Sequence, residues 1–114
     1  MSLKFALLLS FLATPAMAQD CSPIRFAPGE SGAFVKGDAP AEGSACYSID
    51  LRPGQKFFAE IVTGQADIAI SIPGIGDNRN TFSFVTQQSR YELWVHQTFR
   101  AVEDAPFTML VRVD

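Results

Sequence analysis

Tyr91-Glu92-Leu93-Trp94-Val95-His96 and Phe107-Thr108-Met109-Leu110-Val111-Arg112-Val113 decide the fold class. In the first, Tyr91, Leu93 and Val95 recur at every second position; in the second, Phe107, Met109, Val111 and Val113 do so. A period of two places one set of side chains on one face of an extended chain, which is the mark of a half-buried β-strand. The same alternation carries Tyr47, Ile49 and Leu51, then Ile68, Ile70 and Ile72, then Phe82 and Phe84. Lys56–Val62 is apolar on both faces, and weaker strand signals lie near Ile24–Phe26 and Ala33–Lys36.

Breakers separate these runs. Pro28-Gly29, Gly37 to Gly43, Pro53-Gly54, Gly64, Pro73 to Asn80 and Glu103 to Pro106 read as turns or loops. About eight short strands at this spacing predict an all-β protein, a small antiparallel β-sandwich of jelly-roll-like type. If consecutive strands run antiparallel, loops 52–55, 73–80 and 97–105 fall at one end of the sandwich. Loops 37–44, 63–65 and 87–90 then fall at the other.

Composition supports this and narrows the function. Met1–Ala18 has the form of a signal peptide: Lys4, an apolar run from Phe5 to Ala13, Pro15, and a small-x-small site at Ala16-Met17-Ala18. The run is too short to cross about 30 Å of hydrocarbon, and Asp20 before Cys21 does not suit a lipoprotein site. The expected mature chain is one domain, 19–114, without a membrane anchor, in the periplasm or outside the cell. It holds 22 Ile, Val and Phe against three leucines, a balance that favours strands over helices. It also has 8 basic and 12 acidic side chains, so no cationic surplus exists to bind nucleic acid by bulk electrostatics.

Cys21 and Cys46 are the only cysteines, and an oxidising compartment makes them a disulfide. The closed loop of about 26 residues is worth ~3–4 kcal/mol in the chain-entropy argument. One histidine and a distant cysteine pair do not make a metal site, and no cofactor is expected.

Catalytic chemistry finds little support. His96 is the single histidine, but it sits mid-strand beside Trp94 rather than on a loop facing a nucleophile. Glu103-Asp104 are adjacent loop acids of a kind normally solvated. Gly74-Ile75-Gly76-Asp77 lacks the Lys-Ser/Thr and the helix that a phosphate-binding turn needs. Asp67, Asp77 and Asn78 lack calcium-loop spacing. The chain therefore reads as a binding protein rather than an enzyme.

From Tyr47 onward the sequence resembles the periplasmic inhibitors of goose-type lysozyme and, more distantly, pre-peptidase C-terminal domains. The residues that carry the likeness are Tyr47 with its alternation, Gly54-Gln55-Lys56, Ala66-Asp67, Pro73-Gly74-Ile75-Gly76-Asp77, Tyr91-Glu92-Leu93, Val95, Gln97-Thr98 and the terminal strand. Arg25 to Ser31 is similar to the start of such domains. The resemblance implies a sandwich whose loop enters a lysozyme cleft and sets arginine against an acidic catalytic residue. In an ungapped reading, the family's arginine after Gln-Thr falls on Phe99, with Arg100 one place later, and a second basic position falls on Glu103. Arg100 is thus the expected anchor, flanked by Asp77 and Arg79. The partner would be a g-type lysozyme or another peptidoglycan-lytic enzyme. The alternative is an accessory domain that contacts carbohydrate or protein in the envelope, with Trp94 and His96 as an aromatic platform.

Overall fold

Nine strands build two sheets in a computed structural model that describes residues 20–64 and 67–114. The expected leader and its cleavage site lie outside the described residues. The strands are β1 (Ser22–Pro23), β2 (Gly32–Ala39), β3 (Ser44–Asp50), β4 (Lys56–Thr63), β5 (Ile68–Ile72), β6 (Gly76–Arg79), β7 (Thr81–Val85), β8 (Arg90–Gln97) and β9 (Ala105–Val113). One sheet runs β1-β3-β8-β5-β6 and the other β2-β9-β4-β7. Every ladder is antiparallel except the short β1–β3 pair. The all-β sandwich expected from alternation is therefore present, with one strand more than the eight read from sequence.

The alternating residues meet between the sheets. Ile49, Tyr91, Leu93, Val95, Ile68, Ile70 and Ile72 face Phe57, Ala59, Phe82, Phe107, Met109 and Val111, all buried. Rings continue the contact: Phe84 lies tilted against Phe57, centroids 5.1 Å apart, and edge-on to Tyr91 at 5.3 Å. Tyr47 crosses from β3 to the β2–β9 side, edge-on to Phe107, and its phenol rests against Gly37, where an added Cβ would press on the Tyr47 hydroxyl. Burial, and then the charge of Asp38, raises the Tyr47 hydroxyl above its ordinary pKa. The two-faced apolarity of β4 is explained by Phe58, which points outward beneath the Arg112 guanidinium at 4.2 Å.

Cys21 and Cys46 are bonded, with Cα atoms 4.6 Å apart. They sit next to the β1–β3 register, in which Ser22 faces Tyr47. The bridge ties the N-terminal segment to the β3 edge, and Ile24 N–H adds a bond to the Ser48 carbonyl at 2.7 Å.

The expected grouping of loops needs correction. Residues 76–79 form an edge strand, β6, paired only with β5, rather than part of a loop 73–80. Asp77, Asn78 and Arg79 are all exposed, so the strand has no apolar period to reveal it. One added strand reverses the count of ends. Loops 51–55, 73–75 and 86–89 share one pole, where Gly54 N–H bonds Thr86 O and Leu51 N–H bonds Ser89 O at 2.8 Å each. Loops 40–43 and 98–104 share the opposite pole, with Asp67 and Asn80. Arg52 is thus far from Arg100, not beside it.

Candidate functional site

The 98–104 pole is where the described surface departs most from what folding alone requires. Thr98, Phe99, Arg100, Val102, Glu103 and Asp104 are exposed, with Phe99 at 73% and Val102 at 94%. Two large apolar side chains flanking a free guanidinium on one loop tip gain nothing from the core. Isolated exposed hydrophobics are ordinary; a pair on a held loop next to a cation is a candidate contact surface.

The loop is held from beneath. Gln97 continues the inward face of β8 to the mouth of the sandwich, and its carboxamide donates to Glu103 O at 2.9 Å, Ala39 O at 3.2 Å and Pro40 O at 3.3 Å. That group joins β2, the 40–43 loop and the 98–104 loop. The Asp104 carboxylate accepts from Ala41 N–H at 2.9 Å, and Thr98 N–H bonds Asp67 O at 2.8 Å. Backbone restrained in this way loses less freedom when a partner binds.

Arg100 and Phe99 line a depression with Gly43, Glu42 and Thr98. Glu42 lines the same depression as Arg100, and Glu103 and Asp104 follow it on the loop. Arg79 is committed elsewhere: its guanidinium lies over Gly76 and 5.2 Å from the Phe82 ring centroid. It shares a depression with Thr98 and Asn80. Asp77 is exposed on β6, whose preceding turn belongs to the far pole.

Trp94 and His96 lie on the outer face of the five-stranded sheet, both half-buried. The Trp94 indole N–H donates to Glu92 Oε1 at 3.3 Å. His96 Nε2 is 2.9 Å from Ser71 Oγ, which accepts from Asn78 N–H at 3.0 Å. Asn78 has a left-handed backbone, φ 56°, in the irregular β5–β6 pairing. Among the described residues, one group has ligand-type atoms close together, Cys21, Cys46 and Glu92, and its two sulfurs are already joined to each other.

Sequence reasoning singles out the loop and Arg100 but not Gln97 and Asp104, which brace that loop. Their local signal was slight: a polar residue where the alternation of β8 calls for an apolar one, and an acid just before β9.

No family model and no curated protein matches the sequence. Solved structures do. A periplasmic inhibitor of g-type lysozyme from Aeromonas hydrophila, PliG, superposes with a TM-score of 0.71 at 22% identity, over 82% of this chain and 96% of that one. The Salmonella Typhimurium PliG gives 0.67 at 18% identity, over 85% of this chain and all of the other. A mutant of the Escherichia coli protein gives 0.66 at 20%, again over 85% and 100%. This chain has the fold of these periplasmic lysozyme inhibitors.

Proposed function

We propose that this protein is exported to the periplasm and binds a g-type lysozyme, or a related cell-wall lytic enzyme, by inserting the 98–104 loop into its cleft. It performs no chemistry itself. The observation that carries the reading is the loop tip with Phe99, Arg100 and Val102 exposed, braced by Gln97 and Asp104. The likeness in fold to inhibitors of g-type lysozyme supports it. In this reading Arg100 meets a carboxylate inside the cleft, where exclusion of water strengthens a guanidinium–carboxylate contact. Phe99 and Val102 cover the apolar walls on either side.

The test is inhibition of goose-type, chicken-type and invertebrate-type lysozymes by the purified mature protein. Inhibition of the goose-type enzyme is expected. Truncating one member of a desolvated charge pair costs ~2–5 kcal/mol, so Arg100→Ala should weaken binding about 30-fold or more, chiefly through faster dissociation. Its melting temperature should not change, because an exposed loop charge contributes little to stability. Affinity within about threefold of wild type, at equal stability, would remove the anchor role from Arg100. No inhibition of any lysozyme would overturn the proposal.

A further inference from the structure

The described residues include two buried polar side chains, Ser48 at 4% exposure and Thr86 at 2%. Thr86 is fully served: its hydroxyl donates to Arg52 O at 2.6 Å and accepts from Gln55 N–H at 2.9 Å. The Ser48 hydroxyl has no hydrogen-bond partner among the described residues, although Ser48 O accepts from Ile24 N–H. A buried hydroxyl without a partner is rare in folded proteins and asks for a group from outside the folded chain. Ser48 lines a depression of about 450 Å³ between the 21–26 segment and β3, within the roughly 300–1,000 Å³ of small-ligand sites. Arg25 and Arg90 line it too. The Arg25 guanidinium has no partner among the described residues, and Arg90 has only a loose contact with Asp50 at 3.6 Å. Phe26 and Asp50 are shared with a second depression of about 370 Å³, walled by Leu51 and Val113 and bordered by Arg52 and Glu30. Glu92 stands opposite Ser48 on β8, but its Oε1 accepts the Trp94 indole N–H and it lines neither depression.

We propose that the two adjoining depressions bind the C-terminal end of a short peptide, whose carboxylate lies between Arg25 and Arg90 and accepts the Ser48 O–H. An ionised carboxylate is acceptor-only, and it matches a hydroxyl and two guanidiniums with hydrogen bonds to give. Charge separates a monoanion from a dianion. Arg25, Arg52 and Arg90 stand against Asp50 and Glu30, so the lining has a formal surplus of one positive charge. One carboxylate balances that surplus; a phosphate dianion exceeds it and is repelled by both acids. The same acids offer acceptors to peptide N–H groups, which a fatty acid or a bare anion lacks. Phe26, Leu51 and Val113 give the preceding side chain an apolar wall. Asp50 competes for Arg90, but its side chain is 84% exposed. A carboxylate held beside buried Ser48 is better shielded from water and gains more from the guanidinium.

Calorimetric titration of the mature protein would compare four probes: N-acetyl-Ala-Ala-Phe as the free acid, the same peptide as its C-terminal amide, N-acetyl-Lys-D-Ala-D-Ala, and inorganic phosphate. Saturable binding of a free acid in roughly the millimolar range or tighter is expected, with the amide about tenfold weaker. Comparing the two free acids separates a protein tail from a D-amino-acid wall peptide as the source. Arg25→Gln and Arg90→Gln should each weaken binding about tenfold, and Asp50→Asn should tighten it about two- to threefold. Ser48→Ala should weaken binding about three- to tenfold yet leave the melting temperature equal or higher, because it removes a hydroxyl with no partner in the free protein. A hydroxyl with a purely structural role would instead lower the melting temperature and leave binding alone. No saturable heat with either free acid up to roughly 10 mM overturns the site. So does equal binding of the amide, or binding unaltered in both Arg25→Gln and Ser48→Ala. Phosphate bound more tightly than either peptide would overturn the peptide as ligand. The site is separate from Arg100, so failure here leaves the lysozyme reading standing, and the converse holds.

Discussion

Replacing Gln97 by Glu should loosen the 98–104 loop and destabilise the whole domain, and the size of the effect should depend on pH. The Gln97 carboxamide has two N–H groups, and three carbonyl oxygens lie at 2.9, 3.2 and 3.3 Å from its nitrogen. The group therefore makes about two hydrogen bonds, one of them shared. Gln97→Glu exchanges the donor for an oxyanion of nearly the same shape, which then faces three acceptors. Two lost bonds cost ~0.5–1.5 kcal/mol each, and the unpaired charge adds to that, though water at this half-buried site screens it; a total of about 2–3 kcal/mol follows. For a domain of this size each kcal/mol moves the melting temperature by about 4–8 °C, so a fall of roughly 10–20 °C is expected at pH 7. Gln97→Met removes the bonds without adding a charge and should cost about half as much. Facing carbonyls, the introduced carboxyl holds its proton more tightly in the folded state than in the unfolded state. Stability then falls as pH rises through the unfolded value, ~4.3, toward the raised folded one, and recovers on acidification. Thermal melts at pH 4 and pH 7 test this, alongside hydrogen exchange at Thr98–Asp104. A melting temperature within about 2 °C of wild type at pH 7, with loop exchange unchanged, would refute the bracing role.

Three further outcomes follow from the core and its staple. Replacing both Cys21 and Cys46 by Ser should lower unfolding free energy by about 3 kcal/mol and free the N-terminal segment from the β3 edge; denaturant titration reads the first and proteolysis near Ile24–Phe26 the second. Gly37→Ala drives a methyl into the Tyr47 hydroxyl and within 3.3 Å of the Phe107 ring, for a loss of ~1–3 kcal/mol. Tyr47→Phe in the same chain should recover part of that loss, and no recovery would mean that the strain lies in the backbone. Because burial and Asp38 raise the Tyr47 pKa, the folded state keeps its proton where the unfolded chain has begun to lose it. The domain should therefore lose stability as pH rises above the unfolded value, ~10, through the folded one, and Tyr47→Phe should flatten that alkaline slope in urea melts.

The strands of the core were legible in the sequence because a half-buried strand writes its burial into a local period. Tyr91, Leu93 and Val95 needed no knowledge of their partners to be assigned inward, and neither did Phe107, Met109, Val111 and Val113. The disulfide was legible for a related reason: two cysteines in a chain read as exported have one intramolecular pairing. The site was only half legible, because a loop rich in breakers announces itself but not its company. β6 shows why. Gly76–Arg79 takes its order from hydrogen bonds to β5 and buries no side chain deeply, so nothing in its residues separates it from a loop. That unseen strand reversed the ends and moved Arg52 to the far pole. The role of Gln97 was equally hidden, since its three acceptors come from residues 39, 40 and 103 and meet only when β2, β8 and β9 close the mouth of the sandwich. Burial along a strand is a property of neighbours in sequence. Which loops share a pole, and what braces them, depends mainly on pairings between residues more than 30 positions apart, and only the tertiary structure decides those.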